Sequence, residues 1–187
     1  MIKFHFTFDK TKNSQDLKKK LLAIYKNYSA KTSNIIIVAG GDGYMLNSLK
    51  KYVKFKKPFY GINCGTYGFL MNRYVSRNLE KKISRAKKTI INPLQIVSCN
   101  NKIQRKALIA VNEVSLFRQN KQTASLKLEI EKKTIIKKLI GDGVLISTPA
   151  GSTAYNLSVH GPILSLNSGK LAITPISPFR PRRWKGK

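Results

Sequence analysis

The sequence predicts two domains, an open α/β half followed by an all-β half, and three observations predict it. A continuous apolar run, Ile35-Ile36-Ile37-Val38-Ala39, stops at Gly40-Gly41-Asp42-Gly43 and passes into helical spacing, the pattern of a parallel strand covered on both faces. Ahead of it, an alternating stretch over residues 2–8 and an amphipathic stripe complete a strand–helix–strand unit. Beyond about residue 90 the texture changes to strand after strand without long helices. The expected domains are therefore 1–90 and 91–187.

Taken in order, residues 2–8 alternate apolar and polar side chains and read as a first strand, with His5 as an ordinary strand residue. The helical stripe runs through Leu17, Leu21, Ile24, Tyr25 and Tyr28, with Asn13 or Ser14 as its cap. After the glycine turn, residues 44–49 have helical spacing. A third strand over residues 57–64 runs into a second glycine-rich turn at Gly65 and Gly68. Residues 78–88, with Leu79, Ile83 and Ala86 in phase, form a short helix. In the second half, residues 94–98 and 103–117 read as strands joined by a turn at Asn100-Asn101. Residues 126–130 alternate again before a turn at Glu131-Lys132-Lys133, and residues 134–147 are extended but interrupted by Gly141-Asp142-Gly143.

The net charge of +28 invites a nucleic-acid reading, yet the lysine pairs are spread along the chain without a stripe or a nucleic-acid motif. No specific nucleic-acid partner is expected. Cys64 and Cys99 lack metal-ligand spacing or a disulfide framework, which fits a reducing cytoplasm. No run is apolar enough to span a bilayer, and residues at the start lack the order of a signal peptide, so no membrane partner is expected either.

The chemistry concentrates in three stretches. Glycines at 40, 41 and 43 free the backbone for left-handed conformations and for close approach of phosphate oxygens, and Asp42 is the one side chain there able to accept a proton or hold a metal. A helix N-terminus at this turn favours anions. The plainer reading is a tight turn whose Asp caps the helix. Asn112-Glu113 places an amide and a carboxylate inside an apolar stretch, at a strand end; a solvated edge acid is the alternative. Residues 141–158 end a buried strand at Thr148-Pro149 and then offer hydroxyl and N–H donors from Gly151-Ser152-Thr153 onward, a set suited to a base or ribose.

Read together, Gly40-Gly41-Asp42-Gly43, Gly61-Ile62-Asn63 with Gly65-Thr66-Tyr67-Gly68-Phe69-Leu70, Val111-Asn112-Glu113, and Asp142-Gly143 with Thr148-Pro149-Ala150-Gly151-Ser152-Thr153-Ala154-Tyr155 resemble the NAD kinase family, in its alphaproteobacterial form. The resemblance implies a Rossmann-like open α/β domain followed by a β-sandwich-like NAD-binding domain. It implies phosphorylation of the 2′-hydroxyl of the adenosine ribose of NAD by ATP or polyphosphate, with a divalent metal, Mg²⁺ foremost. By position Asp42 is similar to the family's general base and Gly43 to its loop partner. Asn112 and Glu113 match the pair that binds NAD, and Asp142 an acid near the nicotinamide ribose. Ala150 stands at the motif's variable position, and Thr153, Ala154, Tyr155, Asn156, Leu157 and Ser158 match the segment around the adenosine. A homodimer or homotetramer is implied, and no metal ligand is assigned. The chain is shorter at its C-terminus than the family's, so an incomplete β domain is expected, its uncovered edges met by oligomerisation or reflected in weak activity. Two other readings stand beside this one: a lipid kinase of the diacylglycerol type sharing Gly-Gly-Asp-Gly, and a non-catalytic binder of polyanions.

Overall fold

Four parallel strands, β1 (Phe4–Phe8), β2 (Ile35–Gly40), β3 (Phe59–Asn63) and β4 (Asn72–Arg73), lie side by side in that order in the first half of the chain. The computed structural model describes residues 2–74, 78–99, 106–182 and 184–187, in two units, Met1–Lys87 and Lys88–Lys187. Three helices accompany the first sheet, α1 (Lys12–Leu22), α2 (Asp42–Tyr52) and α3 (Leu79–Arg85). Every residue of β2 is buried. Ile35, Ile37 and Ala39 face Leu17 and Leu21 of α1 and Leu79 of α3, while Ile36 and Val38 face Met45 and Tyr52 of α2. The strand is therefore covered on both faces, as its unbroken β-branched run requires. Each such side chain contributes about 1.5–3 kcal/mol on burial.

Local details differ from the sequence reading for identifiable reasons. Helix α1 starts at Lys12 with Thr11 at the cap and no side-chain capping bond. Neither expected cap acts as one: Asn13 donates to the Cys64 carbonyl (3.0 Å) and the buried Ser14 to the Ala39 carbonyl (2.8 Å). The apolar stripe outlasts the helix. Past Leu22 the chain turns to lie along β1, where Tyr28 donates its N–H to Phe4 (2.9 Å) and Asn27 accepts the Phe6 N–H (2.9 Å). A free sheet edge is thereby satisfied, and backbone pairing there outweighs helical phase. Strand β4, two residues long, left no periodic signal.

The second unit is antiparallel and β-rich, the β-sandwich-like class expected. Its strands are β5 (Leu94–Ser98), β6 (Lys106–Ala110), β7 (Glu113–Phe117), β8 (Ala124–Ile130), β9 (Lys133–Gly141), β10 (Gly143–Ser147) and β11 (Ala172–Ile176), with one short helix, α4 (Tyr155–Ser158). β5 pairs with β6, β8 with β9, and β10 lies between β7 and β11. The expected turn at Asn100-Asn101 lies outside the described residues. The stretch expected as one strand over 103–117 breaks at Val111-Asn112 into β6 and β7, because the two halves pair with different partners. Glu131 and Lys132 form the two-residue turn of the β8–β9 hairpin, both with positive φ (49° and 65°), the twist a tight hairpin demands even without Asn or Gly. β11 was not foreseen. Its Pro175 hides the strand signal and is tolerated because β11 is an edge of its sheet, where Ile173 exchanges two backbone hydrogen bonds with Lys187.

Candidate functional site

In the first unit the site grows from the junction of β2 and α2. The strand ends at Gly40 and the helix begins at Asp42 itself, two residues earlier than its apolar spacing suggests. The glycines do not serve by left-handed conformation: Gly41 is extended at φ −109°, and the positive-φ glycines among the described residues are Gly169 and Gly186. They serve by size. A Cβ on Gly40 would sit 3.0 Å from the Tyr44 side chain and 3.1 Å from Asp9 Cβ, whereas one on Gly41 or Gly43 would meet nothing within 4 Å. Gly40 is thus a packing residue, and Tyr44, seated against it, hydrogen-bonds Thr7 through its hydroxyl (2.6 Å). Gly41 and Gly43 leave the surface at the helix N-terminus open to a ligand, where unpaired N–H groups and the helix dipole favour phosphate.

Asp42 is held by the second glycine turn. Its Oδ2 accepts the Phe69 N–H (2.8 Å) and its Oδ1 the Leu70 N–H (3.0 Å). The two turns thus meet at this carboxylate. Gly61 and Gly68 make the meeting possible, since a Cβ on Gly61 would lie 2.6 Å from Met71 Sδ, and one on Gly68 2.9 Å from Met71 Cγ. A carboxylate has about four lone-pair sites, so Asp42 is oriented by these two bonds and keeps capacity to accept a further proton.

In the second unit, Asn112 and Glu113 stand where β6 gives way to β7. Thr148 ties this corner down: its N–H donates to the Asn112 carbonyl (2.8 Å) and its hydroxyl to the Val111 carbonyl (2.7 Å) while accepting the Gly151 N–H (3.1 Å). A Cβ on Gly151 would overlap the Asn112 backbone. Among the described residues, Asn112 Oδ1 and Glu113 Oε2 are buried acceptors without a partner, and His5 Nε2 is the other such atom. Two neighbouring acceptors left bare at a rigid corner call for a ligand that donates, since an unmatched buried acceptor is costly.

Burial pushes the Glu113 carboxyl above its ordinary pKa. The folded state therefore favours the protonated acid. The stability gained is fully present below the unfolded value of about 4.3 and is lost as pH rises through the raised folded value. Glu113→Gln is expected to raise the melting temperature at pH 7, the gain fading toward pH 4, which melting curves across pH check.

Asp142 lies between β9 and β10. A Cβ on Gly141 would be 2.9 Å from the Ser177 carbonyl, and one on Gly143 would overlap the Leu116 carbonyl, so close backbone approach accounts for both flanking glycines. The Asp142 carboxylate pairs with Arg118 (2.6 Å). Along the last segment Ala150 is buried, Thr153 and Ala154 are half-buried, and Tyr155, Leu157 and Ser158 are exposed. Asn156 is fully buried and its amide is engaged internally, donating to Ser152 and Pro162 carbonyls (3.3 and 2.9 Å) and accepting from the Thr174 hydroxyl (2.7 Å). Ser152 donates to the Pro149 carbonyl (2.7 Å) and accepts the Leu164 N–H (3.0 Å), which fastens the loop. A cavity of about 310 Å³ opens beside Pro149 and Ala150, walled in part by Ile91, Leu166 and Leu171.

Arg118 and Thr174 escaped the sequence reading. Each acts on a residue 24 or 18 positions away in the chain, and no local pattern marks such a pair. Among the described residues no three His, Cys, Asp or Glu side chains gather to hold a metal ion.

Compared with known families, residues 111–183 match the ATP-NAD kinase C-terminal domain. The chain is 46% identical over 182 residues to an NAD kinase of Brucella melitensis biotype 1, covering 97% of this chain and 71% of that one. It is 44% identical over 173 residues to the NAD kinase of Caulobacter vibrioides, covering 92% and 66% respectively. Of solved structures, yeast NADH kinase complexed with NADH superposes with a TM-score of 0.67 at 26% identity, over 83% of this chain and 47% of that one. An NAD kinase from Archaeoglobus fulgidus in complex with ATP gives 0.71 at 21% identity over 100% and 76%, a likeness of fold.

Proposed function

The chain belongs to the NAD kinase family, and from that premise we propose that it transfers the terminal phosphate of ATP to the 2′-hydroxyl of the adenosine ribose of NAD, with Asp42 as general base. The observation that carries the reading is the Asp42 carboxylate, oriented by the Phe69 and Leu70 amides at the open glycine N-terminus of α2. A ribose hydroxyl attacks poorly until its proton is taken. Asp42 accepts that proton as the new O–P bond forms, the bond from the transferred phosphorus to the bridging oxygen breaks, and ADP leaves. Such transfer asks the protein chiefly for positioning and charge compensation, which the N–H groups and dipole of α2 supply.

Asn112 Oδ1 and Glu113 Oε2 would accept hydrogen bonds from NAD, Asp142 would serve the nicotinamide ribose, and Thr153 to Ser158 would frame the adenosine. Within that frame Asn156 holds its neighbours in place, its amide being committed to the protein. The cavity beside Ala150, at about 310 Å³, has the size of a small-ligand pocket. A divalent cation would be held chiefly by triphosphate oxygens, because the described residues build no cage and Mg²⁺ accepts few protein carboxylates. Polyphosphate would present the same terminal phosphate as ATP. A homodimer or homotetramer is supported by β7, a sheet edge on which Leu116 and Phe117 are about half exposed. A cytoplasmic setting accords with the free cysteines Cys64 and Cys99, and no helix among the described residues is long and apolar enough to cross a membrane. The relatives favour this reading over a lipid kinase or a polyanion binder.

Incubation with NAD, ATP and Mg²⁺, followed by an NADP-specific dehydrogenase, is expected to reveal NADP. Absence of NADP together with absence of saturable NAD binding would overturn the proposal.

A further inference from the structure

We propose that Arg118 is a positioning residue for substrate binding, fixing Asp142 so that one of its carboxylate oxygens is presented to NAD; the inference rests on the reading of Asp142 given above. Arg118 follows directly on β7 and holds Asp142 at two points. Its backbone N–H donates to the Asp142 carbonyl (2.9 Å), and its side-chain Nε to Asp142 Oδ1 (2.6 Å). The guanidinium is itself anchored, Nη1 donating to the Asn120 carbonyl. Asp142 is held from its other flank, where its N–H donates to the Ile176 carbonyl (3.0 Å). With the backbone pinned on both sides and Oδ1 taken by Nε, the carboxylate cannot rotate freely, and Oδ2 is the oxygen left to accept from a ligand.

The geometry also separates positioning from simple charge balance. Both side chains remain partly open, at 30% for Arg118 and 27% for Asp142, so solvent screens the pair and its contribution to stability is small. What the pair supplies is direction. A planar guanidinium offers donors in a fixed fork, so Nε and Nη1 can bind two separate oxygens in one rigid frame, which a lysine ammonium on a flexible stem does not reproduce. Loss of that frame lets the Asp142 carboxylate swing, and small misplacements of a binding group are felt in substrate affinity.

The test is a set of NAD titrations and steady-state assays on the full chain carrying Arg118→Gln, Arg118→Lys, Asp142→Ala, and Arg118→Gln with Asp142→Ala. Arg118→Gln is expected to raise Kd and KM for NAD about tenfold with kcat within about twofold of the parent and a nearly unchanged melting temperature. Arg118→Lys should recover little of that loss, because an ammonium on a flexible stem does not rebuild the fork, and full recovery by Lys would reduce the role of Arg118 to charge. The double variant should bind no worse than Asp142→Ala alone, because both changes remove one interaction. Asp142→Ala without effect on NAD binding would overturn the assignment of Asp142 to substrate and the inference with it. Asp142→Ala with an effect but Arg118→Gln without one would overturn the role of Arg118 alone, as would a loss in Arg118→Gln accompanied by a proportionate fall in melting temperature.

Discussion

Replacement of Asp42 by Asn is expected to cut turnover about 100-fold or more while leaving NAD affinity nearly intact, the usual reach of a positioned general base. The substitution keeps the shape of the side chain and removes its ability to take a proton. It also has a structural consequence. In the parent both carboxylate oxygens accept a backbone N–H, from Phe69 and Leu70. An Asn at this position can accept only one of them, so the second glycine turn loses an anchor, at a cost of about 1–3 kcal/mol if the freed amide finds no water. The variant should therefore melt a few degrees lower as well as turn over slowly. Single-turnover assays at saturating NAD and ATP separate the two effects: a rate restored by saturation would make Asp42 a loop anchor only, whereas a rate still down about 100-fold marks it as the base.

Gly151→Ala is expected to be strongly damaging to the second unit. Its methyl group would overlap the carbonyl and Cα of Asn112, and neither can retreat easily. The Asn112 carbonyl accepts the Thr148 N–H, and the Thr148 hydroxyl spans the Val111 carbonyl and the Gly151 N–H. Overpacking of this kind costs about 1–3 kcal/mol and sometimes more. Because the displaced atoms belong to Asn112, the loss should appear in NAD binding beyond what reduced stability explains. Calorimetric titration well below the melting temperature measures this directly. Unchanged NAD affinity in a folded Gly151→Ala protein would mean that the corner formed by Val111, Asn112 and Thr148 does not hold the substrate.

The strand of β2 illustrates what could be read in advance. A run of β-branched residues with no polar position has to be buried on both faces, and it is, between α1 and α3 on one side and α2 on the other. The abrupt halt at Gly40-Gly41-Asp42-Gly43 likewise marks a turn into a helix N-terminus. The uses of the glycines were not legible in the same way. Gly40, Gly61, Gly143 and Gly151 are needed because another chain segment passes close by, and which segment passes where is settled by strand pairing and packing across the sheet, not by neighbours in sequence.

By itself the sequence determined the order of the two halves, the burial of β2, the place of the breaks around Asp42 and Asp142, and the family to which these motifs point, because each depends on local period, on composition or on short ordered motifs. Only the tertiary structure decided that the Phe69 and Leu70 amides orient Asp42, that Asn156 is spent on internal hydrogen bonds, that Asn112 and Glu113 retain bare acceptors, and that Arg118 holds Asp142. Those contacts join residues between 4 and 28 positions apart or depend on what stays unpaired, and hydrogen bonding at a distance of about 3 Å follows the folded path of the backbone, which no local pattern encodes.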